Sequence, residues 1–141
     1  MRRIIPAMGM LLLLALPACR ADLSDLQVAS VEQVAARSAS GEALTFCDAN
    51  NADTREQYGV VPGAVLLSNY RDYVVEAELP RDRETILIFY CHSERCGAAG
   101  DAARKAVASG YRDVWVMAPG IKGWAEAGQP IAQASAAAES S

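Results

Sequence analysis

Nothing in this 141-residue chain is both long and apolar enough to span a bilayer. The longest apolar stretch, Ile4 to Ala18, runs 15 residues, against the roughly 20 a spanning helix needs. Cysteine is sparse, at four residues, and no Cys-x-x-Cys occurs. This excludes a disulfide scaffold, which would be denser in cysteine, and the Cys-x-x-Cys-His order of covalent haem attachment. His92 is the only histidine, and the metal site to weigh is Cys91, His92 and Cys96. That set lacks a fourth ligand and a familiar spacing, so no metal and no cofactor are expected. Bases are also outnumbered, 13 against 17 acids, which argues against nucleic acid and against an anionic membrane surface as partners. No internal repeat and no second domain are visible.

What is present begins with a processing signal. Met1-Arg2-Arg3 precedes the apolar stretch centred on Leu11-Leu12-Leu13-Leu14, the layout of a secretory signal peptide. Small residues around Ala18-Cys19-Arg20-Ala21 suit ordinary cleavage before Asp22. Leu16-Pro17-Ala18-Cys19 also resembles a bacterial lipobox, which would make Cys19 a lipidated first residue. The expected organisation is a signal over 1–21, one domain over 22–131 and a disordered Ala/Ser/Glu-rich tail over 132–141. The location expected is exported and periplasmic, with a membrane role only through a lipid on Cys19. All seventeen acids lie from Asp22 onward, whereas Arg2, Arg3 and Arg20 precede it. The processed chain is therefore more acidic still. It keeps Cys47, Cys91 and Cys96, an odd number, so at least one thiol lacks an internal partner.

Along the domain, short apolar runs alternate with helical patterns. Val28, Val31, Val34 and Ala35 recur at helical spacing and predict a helix over about Ser30 to Ser38, stopped by Gly41. Ala43 to Cys47 reads as a strand ending at Asp48. A polar loop then caps one turn, Arg55 to Tyr58. Val65-Leu66-Leu67 is a short strand after the Pro62-Gly63 turn. Tyr70, Tyr73, Val74 and Ala77 predict a helix within Asn69 to Leu79. A strand over Thr85 to Tyr90, a helix within Gly97 to Ser109, a strand over Asp113 to Met117 and a helix over Ile121 to Ala127 follow. Strands alternating with helices imply an α/β fold with a parallel sheet, whose ligands bind beyond the strands' carboxyl ends.

Cys91 stands at such an end. The run Thr85-Ile86-Leu87-Ile88-Phe89-Tyr90 delivers it to the short loop His92-Ser93-Glu94-Arg95-Cys96-Gly97, which opens into the alanine-rich helix. Backbone N–H groups at a helix start attract anions and favour a thiolate over a thiol. Cys91 is therefore the candidate nucleophile. Cys96 is either a partner that resolves a persulfide or closes a disulfide, or a small residue packed at the helix start. Cys47, within a strand, reads as a buried hydrophobe. His92 could tune the thiolate and Arg95 could contact an anion, or both could face water. Asp48 and Arg55 read as a structural pair at the cleft edge. Trp115 and Trp124 read as core or cleft wall.

These pieces in this order resemble the rhodanese-like (sulfurtransferase) family over roughly Val28 to Ile131. The resemblance is carried by Asp48 with Arg55-Glu56-Gln57-Tyr58, Val61-Pro62-Gly63-Ala64, Tyr90-Cys91, Ala98-Ala99, Gly110-Tyr111 with Asp113-Val114, and Gly120-Ile121-Lys122-Gly123-Trp124 with Gly128 and Pro130. It implies a five-stranded parallel sheet flanked by helices on both faces. It also implies a Cys91 that takes a sulfane sulfur as a persulfide, inside a loop from His92 to Gly97 whose N–H groups point inward. The donor would be a small sulfur-containing anion or a persulfide, the acceptor a thiol or cyanide, and the protein a monomer. Two further readings stay open: a thiol–disulfide oxidoreductase using Cys91 and Cys96, and a non-catalytic binding module.

This chain departs from the family pattern in places. Val60 stands where the family usually has histidine, before the Pro-Gly turn. Within the loop, Glu94 replaces a small residue and Cys96 an arginine, with Arg95 one place early. A carboxylate there disfavours a dianionic donor such as thiosulfate unless it points to solvent. Exported members with a second loop cysteine look similar. Gly97 stands where related phosphatases end a longer loop in arginine, which argues against phosphate chemistry.

Overall fold

The computed structural model describes residues 20–137. The elements, in chain order, are β1 (Gln27–Ala29), α1 (Val31–Ala39), β2 (Leu44–Asp48), α2 (Ala52–Tyr58), β3 (Val65–Leu66), α3 (Val75–Glu78), β4 (Ile86–Tyr90), α4 (Ala98–Ala108), β5 (Val114–Met117), α5 (Gly120–Glu126) and α6 (Ala134–Ala137). The five strands form one parallel sheet in the order β1-β5-β4-β2-β3. The expected α/β sheet with helices on both faces is what forms.

Alternation along β4 explains the two layers, since successive side chains leave a strand on opposite faces. Leu87, Phe89 and Cys91 point into one cluster, closed by Ala99, Ala102, Ala103 and Ala106 of α4 with Tyr73 and Tyr111. Ile88 and Tyr90 point into the other, closed by Val31 and Val34 of α1 and Ile121 and Trp124 of α5. Cys47 lies in the first cluster, fully buried, and burial followed by the neighbouring Asp48 charge pushes its thiol pKa upward. The alanine face of α4 lets the helix lie close to the sheet, and brings its N-terminus up to the end of β4.

Local chemistry sets the helix starts. The Ser30 hydroxyl accepts from Gln33 N–H at 3.2 Å, and the Gln33 side chain accepts from Ser30 N–H at 2.8 Å, a capping box for α1. Asn51 caps α2 by accepting from Thr54 N–H at 2.9 Å, which starts the helix earlier than the single turn expected at Arg55.

Three expectations are corrected. First, β1 was not read from the sequence. It is three residues long and only Ala29 is buried, so it carries no alternation. Second, only Val75–Glu78 of the Asn69 to Leu79 segment is α3. The Asn69 side chain accepts from the N–H groups of Arg71 and Asp72, while the Glu78 carboxylate accepts from those of Ser68 and Val74. Side chains thus take the amides that a longer helix would have used. Third, Ala132, expected to open a disordered tail, exchanges both backbone hydrogen bonds with Val60 at 2.9 Å. Cys19 and nearly all of the expected signal lie outside the described residues.

Candidate active site

Two sheet neighbours hold the end of β4. Tyr90 C=O accepts from Ala49 N–H at 2.9 Å. On the other side, α5 begins directly against the cysteine: Ile121 N–H donates to Cys91 C=O at 2.8 Å and Lys122 N–H to His92 C=O at 3.1 Å. Gly120 makes this approach possible. Its φ is +65°, and a Cβ there would stand 2.5–2.6 Å from the Cys91 oxygen and the His92 carbonyl. The grip of the Pro119-Gly120 turn on the cysteine loop links residues far apart in sequence, so no local pattern shows it.

The loop brings Cys91 and Cys96 together. Cys91 is 3% exposed, and its thiol lies 3.2 Å from the Cys96 carbonyl oxygen as a donor. The backbone N–H groups of Ala99 and His92 also face the Cys91 sulfur, and those of His92 and Ala98 face Cys96. The cradle is therefore built in part from the start of α4. It is not the fully inward loop expected, because Cys96 N–H turns back to Ser93 C=O at 3.0 Å.

The two thiols are shifted in opposite directions. The hydrogen bond from the Cys91 thiol, with help from the amides, lowers Cys96 to about 6 against the cost of partial burial. That same hydrogen bond, then burial, pushes Cys91 upward. A carbonyl oxygen at the Cys91 sulfur acts in the same direction, since it repels an anion. Burial and the Cys96 carbonyl thus disfavour a thiolate on Cys91, whereas the partly exposed Cys96 is shifted toward one.

The other loop residues surround this pair. A cleft of about 850 Å³ lies between the loop and α5, lined by His92, Ser93, Glu94, Arg95, Cys96 and Lys122 among others. A second cleft of about 420 Å³ lies on the far side of Cys96, where Asn50, Thr54, Arg71 and Gly97 meet it. Cys91 lines neither. The Tyr58 ring rests on the His92 ring at a centroid distance of 4.4 Å, and the buried His92 Nε2 and Asn50 Nδ2 have no partner. Glu94 points outward to Arg20 at 3.1 Å, so its charge is screened by solvent.

Asp48 and Arg55 are drawn away from the cleft. Asp48 is fully buried and accepts from Arg55 Nε at 3.2 Å, Asn50 N–H at 2.7 Å and the Tyr90 hydroxyl at 2.7 Å. Arg55 Nη2 donates to the carbonyls of Asp48 and Leu67 at 2.9 Å each. Tyr90, read from the sequence only as the end of a strand, also accepts from Val61 N–H at 3.1 Å. Burial and the Asp48 charge push its phenol upward. This network ties β2, α2, β3 and β4 together beneath the loop.

A family model described as a rhodanese-like domain matches residues 30–127. Among solved structures, the BH2092 protein from Bacillus halodurans is 18% identical over 77% of this chain and 78% of its own, at a TM-score of 0.66. The rhodanese-like domain of the Alr3790 protein from Anabaena sp. is 20% identical over 72% and 75%, at 0.60. A thiosulfate sulfurtransferase from Pseudomonas aeruginosa is 21% identical over 78% of this chain but only 21% of its own, at 0.60. No curated protein sequence matches the chain. At these identities the solved structures bear on the fold alone.

Proposed function

Because the chain belongs to the rhodanese-like domain family, we propose that it is a sulfurtransferase that carries a sulfane sulfur on Cys91 and passes it to a thiol or cyanide. The observation that carries this reading is a thiol pair at the end of β4, with the amides of His92, Ala98 and Ala99 turned toward its sulfurs. The Cys96 thiolate takes the proton of the Cys91 thiol as Cys91 attacks the outer sulfur of the donor. With thiosulfate, the S–S bond of the donor breaks, sulfite leaves, and Cys91 becomes a persulfide anion. The N–H groups of His92 and Ala99 and the positive end of α4 stabilise that anion. An acceptor then removes the outer sulfur. No bound cofactor takes part in these steps.

An exported location belongs to the same proposal and is supported by the basic and apolar segment before Asp22. Cell fractionation with N-terminal mass mapping checks it, and would show whether Cys19 carries lipid.

The test of the chemistry is sulfur transfer from thiosulfate or inorganic polysulfide to cyanide, beside the intact mass of the protein. The parent transfers sulfur and Cys91→Ser does not. Transfer by Cys91→Ser at the parental rate refutes the proposal.

A further inference from the structure

The pairing of two sulfurs in one loop bears on where the transferred sulfur goes. Cys96 is the partly exposed member, it lines both clefts, and its carbonyl oxygen accepts the hydrogen bond of the buried Cys91 thiol at 3.2 Å. Once Cys91 carries a persulfide it has no thiol proton left to donate. Cys96, by then holding that proton, is the residue whose carbonyl lies 3.2 Å from the Cys91 sulfur, while Cys47, the other free cysteine among the described residues, is buried in β2.

We infer that Cys96 is the first acceptor: it attacks the Cys91 sulfur, closes a Cys91–Cys96 disulfide and expels the outer sulfur as hydrosulfide. This rests on the sulfurtransferase reading and makes its product reduced sulfur. The balance is complete. The Cys96 S–H bond breaks and its proton leaves on the sulfane sulfur, while a new S–S bond forms as the Cys91–sulfane bond breaks. The two protein thiols supply the two electrons that reduce the sulfane sulfur. A reductant of the dithiol class then restores the pair by thiol–disulfide exchange.

Geometry also decides which sulfur that reductant meets. Cys91 is 3% exposed and lines neither of the two clefts that Cys96 lines, so an incoming thiol reaches Cys96. The mixed disulfide forms there, and Cys91 is the leaving group. Its departing charge falls beside the amides of Ala99 and His92, which offset part of the cost of burying it.

The experiment uses reduced full-length protein, freed of small thiols and given a single excess of thiosulfate, with inorganic polysulfide as a second donor. Intact mass, peptide mapping and, for thiosulfate, released hydrosulfide are measured. The parent should lose the mass of two hydrogens, show a Cys91–Cys96 cross-link, and release one hydrosulfide per chain without any added thiol. Cys96→Ser, which lacks the thiolate that takes the Cys91 proton and so loads more slowly, should still end at a gain of one sulfur on Cys91 and release none. A parent that holds its added sulfur as stably as Cys96→Ser overturns the inference and leaves sulfur transfer standing. If neither protein gains sulfur or cross-links with either donor, both fall. In a separate arm, the oxidised parent is treated with a single-cysteine thiol peptide and quenched with acid. The adduct should map to Cys96, and an adduct on Cys91 overturns the assigned order of attack.

Discussion

Replacing Gly120 by alanine tests how the cysteine loop is held. The substitution carries two costs that a matched control separates. The first is conformational: an L-residue at φ +65° costs about 1–2 kcal/mol. The second is local. The new Cβ would stand 2.5 Å from the Cys91 oxygen and 2.6 Å from His92 backbone atoms, none of which is the free end of a flexible side chain. Either α5 or the loop must move, weakening the bonds from Ile121 and Lys122 to Cys91 and His92, each worth about 0.5–1.5 kcal/mol. The total is about 2–5 kcal/mol. Gly128→Ala bears only the first cost, since its φ is +72° and nothing lies near the added carbon. Urea unfolding of the two variants should therefore differ by about 1–3 kcal/mol, with Gly120→Ala the weaker. The displaced loop should also separate the sulfurs, so the alkylation midpoint of Cys96 should move up from about 6. Equal stability losses and an unmoved midpoint would refute the claim that Gly120 holds the pair.

Other outcomes follow from the same geometry. Iodoacetamide labelling of Cys96 should rise with pH around a midpoint near 6, because a lowered pKa places the thiolate at lower pH. Cys91→Ala, which removes the donated hydrogen bond, should shift that midpoint upward, as read by peptide mapping. Arg55→Ala should cost about 3–5 kcal/mol in urea unfolding, because it strips the cation from a fully buried carboxylate. Tyr90→Phe should cost about 1–3 kcal/mol by leaving buried polar groups of Asp48 and Val61 unpaired. Glu94→Gln should raise kcat/KM for thiosulfate by no more than about fivefold, and less at high salt, since Glu94 faces solvent.

Much of the fold was readable because its period matched its burial. Ile86 to Tyr90 is apolar throughout since both faces of a central parallel strand are covered. The small residues of α4 recur at helical spacing since that face meets the sheet. Elements without such periodicity were missed or misread. β1 buries one residue, and the amides after Asn69 are claimed by side chains. The tie between Ala132 and Val60 joins residues far apart in sequence and leaves no local trace.

The chain's sequence alone determined most of the succession of strands and helices after β1, and placed Cys91 where a strand hands over to a helix, because these follow from local periodicity and turn chemistry. It also put a second cysteine five residues on. Only the tertiary structure decided which way each of those cysteines is shifted. Which sulfur is covered and which faces a cleft depends on how α4 and α5 close on the loop, and on which carbonyls and amides they aim at it. Such distances arise from the packing of elements remote in sequence, and spacing along the chain does not encode them.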